Sequence, residues 1–115
     1  MRKALVTIIA LVSVAVPAAS TAHAAAVKPV VISITAVNGR PVGGIKRPSV
    51  KKGQLVRFVI RTNVGTELHL HGYDIEKVPR KGVPTVMQFV AKLPGRFELE
   101  LHRPDAVLAQ LTVRP

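Results

Sequence analysis

The 115-residue chain contains no cysteine and no tryptophan, and its only aromatic residues are three phenylalanines and one tyrosine. Without a thiolate it cannot be a disulfide-stapled miniprotein, a zinc module with cysteine ligands or an iron–sulfur carrier. Acidic residues are also scarce, with six against 17 lysines and arginines, and the formal net charge is +11. The chain is nevertheless 48% hydrophobic, too apolar for a disordered basic tail. Length and composition therefore predict one small folded domain.

Catalytic motifs are missing as well. Beyond the N-terminal segment the only serines are Ser33 and Ser49, both in strand-like contexts, and no Ser-His-Asp order indicates a triad. A glycine-rich phosphate loop is also lacking. We therefore expect a protein that is not an enzyme and has no catalytic residues.

The N-terminal segment has the three parts of a secretory signal peptide. Arg2 and Lys3 precede an apolar run over residues 4–19, and Ala22-His23-Ala24 supplies small residues at the two positions that a signal peptidase inspects. The alternative is an uncleaved membrane anchor, but the run is shorter than the ~20 apolar residues that span a bilayer and contains a proline. We predict a signal peptide over residues 1–24 and an exported, periplasmic or secreted domain over residues 25–115.

The exported part alternates apolar and polar residues with a period of two. In residues 55–61, for example, Val56, Phe58 and Ile60 share one face of a strand, a pattern typical of antiparallel strands in a sandwich. Turn pairs such as Asn38-Gly39 and Gly43-Gly44 separate these runs. The pattern predicts an all-β, two-sheet sandwich of about seven strands, near residues 29–37, 41–50, 54–62, 66–75, 84–91, 95–102 and 107–114. The predicted core comprises Val56, Phe58, Ile60, Phe89, Phe97, Leu99, Leu111 and Val113.

The order of several short motifs is more specific than any one of them. The segment VKKGQLVRF (Val50–Phe58) is followed by ELHLHGY (Glu67–Tyr73), then by FVAKLPGRF (Phe89–Phe97) and a closing strand. This succession resembles the cupredoxins, in which a V-x-x-G-x-x-V-x-F strand precedes a first histidine ligand and an F-x-A-x-x-P-G-x-F/Y turn precedes the metal loop. His71-Gly72-Tyr73 is similar to the His-Gly-aromatic step in the copper domains of nitrous oxide reductase and cytochrome oxidase subunit II. The resemblance covers residues 29–115 and implies a Greek-key cupredoxin-like sandwich.

The chain departs from that family at the metal ligands. Counted from the Pro-Gly turn, the family's first cysteine falls at Leu101, and the loop over residues 103–107 supplies neither a further histidine nor a methionine. Because a blue-copper site depends on a short copper–thiolate bond, such a site is excluded.

Three histidines remain after the predicted signal: His69, His71 and His102. His69 and His71 are two residues apart on a predicted strand, so both side chains leave the same face, and His102 ends the strand that follows the Pro-Gly turn. We predict that these three bind a metal, copper rather than zinc, with Glu100 or water completing the site. The alternative is a site formed by His71 and His102 without His69. The resemblance makes His71 the central ligand and places His102 beside it at the same end of the sandwich.

The alternative is that these are surface histidines with local hydrogen bonds. By strand parity His102 lies with Glu98 and Glu100 and faces outward, which counts against a site between the sheets. The two glutamates themselves are expected to form a solvated face paired with basic residues. Met87 alternates in step with Phe89 and is expected in the core, with a thioether ligand to copper as its alternative.

Two functions follow from these features. The first is an exported copper-binding protein, for copper handling or a redox role without blue copper. The second is a metal-free interaction module whose basic loops dock on an acidic envelope protein or an anionic membrane surface. Nucleic acid is not an expected partner, because the predicted protein is exported and lacks an aromatic stacking platform.

Overall fold

The computed structural model describes residues 9–115, and within that range it is built from strands and turns without a helix. The all-β prediction is confirmed. Residues 9–29 form no strand and most of their side chains are exposed, while the first eight residues of the predicted signal peptide lie outside the described range. The described residues contain no helix long and apolar enough to cross a membrane.

Nine strands lie within residues 9–115: β1 Val30–Val37, β2 Arg40–Pro41, β3 Ser49–Lys51, β4 Leu55–Thr62, β5 Glu67–Leu70, β6 Ile75–Lys77, β7 Thr85–Val90, β8 Gly95–His102 and β9 Ala106–Arg114.

The strands form two mixed sheets. The four-stranded sheet has the order β2-β1-β4-β7, and the five-stranded sheet has the order β3-β9-β8-β5-β6. The β1–β4 and β3–β9 pairs are parallel, and the other neighbouring pairs are antiparallel. Residues that alternate inward from both sheets make one shared core.

The predicted core residues face inward. Val56, Phe58, Ile60, Leu99, Leu111 and Val113 are all buried, as is Met87, whose place in the core is thereby confirmed. Phe89 and Phe97 pack against this core but stay partly exposed. Both rings contact Tyr73, with centroids 4.7 Å from its ring, so the three aromatics form a cluster at the margin of the core.

The predicted strand over residues 41–50 is wrong. The structure has only β2 and β3 at its two ends, with an isolated bridge at Lys46 between them. Gly43 and Gly44 both adopt positive φ, which breaks the extended conformation. Pro48 has no N–H group to donate to a ladder. The Asn38-Gly39 turn, in contrast, joins β1 to β2 as a tight hairpin with φ of 49° and 80°, as its sequence predicts.

The predicted strand over residues 66–75 is divided into β5 and β6 by a turn at residues 71–74. Gly72 has a φ of 82°, and a Cβ at this position would overlap the ring of Phe97. Asp74 also has positive φ. Two residues in left-handed conformations reverse the chain and turn β6 back beside β5.

Candidate metal centre

The outer face of the five-stranded sheet carries all three histidines of the folded domain. Leu68 and Leu70 of β5 are fully buried, so the alternating Glu67 and His69 face away from the core. On β8 the buried residues are Leu99 and Leu101, which directs the side chains of Glu98, Glu100 and His102 outward. The outward orientation of His102 is therefore confirmed.

Strand pairing sets the positions of these side chains. His102 pairs with Glu67 at the start of β5, and His69 pairs with Glu100 on one side and with Glu76 of β6 on the other. His71 lies one residue beyond the end of β5, where its N–H group donates to the carbonyl of Glu98 at 3.0 Å. His71 and His102 thus come from opposite ends of the β5–β8 pairing, which corrects the expectation that both lie at one end.

The imidazoles nevertheless converge. The ring centroids of His69 and His71 are 4.2 Å apart, and those of His69 and His102 are 6.3 Å apart. One ring nitrogen from each of the three residues can be chosen so that all three lie within 4.8 Å of one another. His69 is the ring that lies near both of the others.

Carboxylates surround the three rings. Nε2 of His71 is 2.9 Å from Oε2 of Glu100, and Nδ1 of His102 is 3.3 Å from Oδ1 of Asp105. Nε2 of His69 is 3.9 Å from Oε1 of Glu76, so β6 also contributes to the cluster. Glu67, His69 and Glu76 form a second group whose donor atoms lie within the same distance limit. The carboxylates Glu76 and Asp105 were not foreseen as parts of a site, because neither lies on β5 or β8.

The pairing of Glu98 and Glu100 with basic residues is not observed. Every ion pair among residues 9–115 joins a carboxylate to a histidine rather than to a lysine or an arginine. Glu100 contacts His71, while Glu98 accepts a hydrogen bond from Nε2 of Gln110 at 3.1 Å. The register places Glu98 opposite Gln110, and Glu100 opposite Val107 and His69, so neither glutamate faces a lysine or an arginine across a strand pair.

A bulge lies beside the cluster. In the β8–β9 pairing, Leu99 is opposite Ala109 but Glu100 is opposite Val107, so β9 has one extra residue at this point. A bulge twists the strands locally and changes the direction of neighbouring side chains. Glu100, at the step after the bulge, is the residue whose carboxylate reaches His71.

The cluster is open to solvent. The side chains of His69, His71 and His102 are 20%, 46% and 35% exposed, respectively. A cleft of about 360 Å³ lies beside His102 and is lined by Thr66, Glu67, Arg103 and Asp105. Met87 is fully buried between the sheets, so its thioether is not among the donors on this face. The donors present are imidazole nitrogens and carboxylate oxygens, a set that suits Cu(II) or Zn(II).

Comparisons with solved structures identify the fold. No protein-family model and no curated protein matches the chain. One similar structure is the apo form of a copper-binding protein solved by NMR, with a TM-score of 0.59, 12% identity, and coverage of 73% of this chain and 86% of that chain. Another is the cryo-EM structure of a heme-copper terminal oxidase dimer, with a TM-score of 0.51, 18% identity, and coverage of 73% and 64%, respectively. The domain therefore has a cupredoxin-like fold, as the sequence resemblance predicted.

Proposed function

We propose that the protein binds copper as Cu(II) on the outer face of its five-stranded sheet, through His69, His71 and His102. The observation that carries this proposal is the convergence of three imidazoles whose donor nitrogens lie within 4.8 Å of one another. Copper–nitrogen bonds resemble the ~2 Å bonds of other imidazole sites. Small side-chain rotations would therefore bring the three nitrogens onto one ion.

The choice of copper rests on two supports. Cu(II) heads the order of affinities among divalent first-row metals for nitrogen donors, and imidazole with carboxylate or water suits its tetragonal geometry. The cupredoxin-like fold is shared with a copper-binding protein. Zinc is the alternative metal, since three imidazoles and one carboxylate also make a tetrahedral set.

Exposure of the site favours copper handling over electron transfer. An ion held at an open face by exposed imidazoles can be exchanged with another ligand without unfolding the domain. A redox centre is usually protected from solvent, whose access alters its potential. The proposed role is therefore to bind and hand on copper outside the cytoplasm, in line with the signal peptide that the sequence predicts.

The test is titration of the purified chain with Cu(II) and with Zn(II), after elemental analysis of protein recovered from its native compartment. Alanine variants of His69, His71 and His102 are each expected to weaken Cu(II) binding. The matched control is Gln88→Ala, because Gln88 is an exposed polar residue on β7 of the other sheet, away from the histidines. Equal affinity in the wild type and in all three site variants would overturn the proposal.

A further inference from the structure

The end of the sandwich where β4 and β8 begin carries a group of exposed cations that the copper proposal does not involve. We call this group, Lys51, Lys52, Lys92 and Arg114, the basic end. Lys51 pairs with Arg114 in the β3–β9 register, and the N–H group of Lys52 donates to the carbonyl of Arg114 at 2.7 Å. The neighbouring loops are joined by a hydrogen bond of 2.8 Å from the N–H group of Gly53 to the carbonyl of Ala91, the residue before Lys92.

Negative side chains are missing from the segments that form the basic end. The six acidic residues of the chain all lie between Glu67 and Asp105, and none falls within residues 49–54, 90–96 or 112–115. Among residues 9–115, the carboxylates that form ion pairs do so with histidines. The four cations of the basic end are therefore available to an anionic partner.

Exposed apolar side chains lie among these cations. Leu93 follows Lys92 in the β7–β8 loop and is 44% exposed, and Val90 at the end of β7 is 49% exposed. Lysines that flank apolar side chains are the combination that binds the interface of an anionic bilayer, where the apolar groups enter the acyl boundary and the ammonium groups meet the headgroups.

The β7–β8 loop is built so that Leu93 can leave water without exposing unpaired backbone groups. The hydroxyl of Tyr73 donates to the carbonyl of Leu93 at 2.9 Å, and the N–H group of Leu93 donates back to the same oxygen at 3.0 Å. The Tyr73 ring is fixed between Phe89 and Phe97. Unpaired backbone polar groups are costly in an apolar medium, so this arrangement lets Leu93 enter the headgroup boundary at little cost. The pairing of lysines with exposed apolar side chains is what favours a lipid surface as the partner.

We propose that the basic end docks the protein on an anionic lipid bilayer, with Leu93 inserted at the headgroup boundary. The three histidines lie on the outer face of the five-stranded sheet rather than at its end. His102 is the last residue of β8 and lies farthest from Gly95 at the basic end, whereas His71, beside Glu98, is the histidine nearest to that end. The proposal stands independently of metal binding.

The test uses the chain from Ala25 onward, because every described strand and core residue follows that position and the apolar N-terminal segment would itself bind lipid. Sedimentation with phosphatidylglycerol–phosphatidylcholine vesicles is compared with sedimentation with vesicles of phosphatidylcholine alone. Binding is expected only with the anionic vesicles and should fall as salt is added. The Lys51→Glu/Lys52→Glu variant should bind at least about 25-fold more weakly, since each lysine near such a surface contributes about fivefold.

The matched control is Arg80→Glu/Lys81→Glu, which makes the same change in net charge at an exposed pair in the β6–β7 loop, at the other end of the sandwich. This control is expected to lose much less affinity. Equal losses in the two double variants would show a non-specific effect of net charge and would overturn the proposal. Failure of the wild-type chain to bind anionic vesicles would also overturn it and would leave an acidic protein as the partner to seek.

A second measurement shows which end of the domain contacts the bilayer. Because the chain has no tryptophan, Leu93→Trp places a single indole at the basic end, and Val78→Trp places one at an exposed position in the β6–β7 loop. Anionic vesicles should shift the emission of the first variant to shorter wavelength and leave that of the second unchanged. A shift in both variants, or in Val78→Trp alone, would contradict docking through the basic end.

Discussion

The carboxylate of Glu100 lies 2.9 Å from Nε2 of His71, although the residue opposite Glu100 in the strand register is His69. One side chain of β8 thus touches a ring that lies beyond the end of its partner strand. A carboxylate bound to an imidazole fixes the orientation of the ring and raises its basicity as a ligand. Glu100 therefore lies opposite His69 in the register while its carboxylate holds the ring of His71.

Replacement of Glu100 by glutamine is expected to weaken Cu(II) binding by about 10–100-fold, the usual cost of losing a group that supports a ligand. Glu98→Gln is the matched control, because Glu98 lies two residues away on the same face and contacts Gln110 instead of a histidine. Isothermal titration of Cu(II) into both variants distinguishes the loss of the contact with His71 from the loss of negative charge alone. Equal weakening in both would indicate a loss of general negative charge.

Acid should release the metal. Imidazole binds a metal ion only in its neutral form, so protonation competes with Cu(II) and affinity falls as the pH is lowered. Titrations at steps from about pH 8 to about pH 5 span the range in which histidine changes charge. Affinity that stays constant over this range would argue against imidazole ligands.

The spectrum of the Cu(II) form should show nitrogen and oxygen ligands alone. Without a thiolate, we expect a tetragonal electron paramagnetic resonance signal and no intense blue absorption band. Nitrogen hyperfine structure should diminish in the His69→Ala variant, because His69 is the ring that lies near both others. An unchanged spectrum in that variant would place the ion elsewhere.

Phe58 is fully buried at the centre of the core. Phe58→Ala should reduce the free energy of unfolding by about 3–5 kcal/mol, which combines lost burial with the cavity left behind. Val31 lies on the exposed face of the adjacent β1, and Val31→Ala should change stability by no more than about 0.5 kcal/mol. Chemical denaturation of both variants tests the difference, and similar losses would contradict the assigned core.

A comparison of Gly72 with Gly43 distinguishes the backbone strain of an added Cβ from its steric clash with a neighbouring side chain. Both glycines have φ near 80°, so alanine at either position meets the left-handed strain of about 1–2 kcal/mol. Only at Gly72 would the new methyl group also collide with Phe97, since nothing lies within 4 Å at Gly43. Gly72→Ala should therefore destabilise the domain more than Gly43→Ala in thermal unfolding. The reverse order would show that the turn between β5 and β6 can move away from the ring.

Strand periodicity was sufficient to predict most of the fold. The alternation of Val56, Phe58 and Ile60 fixes which face of the strand points into the core. A shift of the strand register by one residue would expose all three side chains. The loop over residues 42–48 contains Val42 and Ile45, apolar residues at a spacing that does not by itself distinguish a loop from a strand. In the structure both are exposed, since glycines with positive φ interrupt the pairing before a ladder can form.

The metal centre was only partly predictable. Parity predicts that His102 faces outward and that His69 and His71 share one face, but the parity of one strand does not specify which side chains on neighbouring strands lie beside it. The contact between Glu76 and His69 requires the turn that brings β6 back beside β5. The contact between Glu100 and His71 depends on where β5 ends and lies beside a bulge in the next strand pair. Such contacts are set by register and local irregularity, which a single sequence does not specify.

The position of β9 between β3 and β8 determines the order in which this domain can assemble. β9 is formed by residues 106–114, and without it β3 has no partner in the five-stranded sheet. The five-stranded sheet therefore cannot be completed until residues 106–114 have paired with both β3 and β8. The parallel β1–β4 and β3–β9 pairs also join distant segments, so topology of this kind folds more slowly than a helical bundle of the same length.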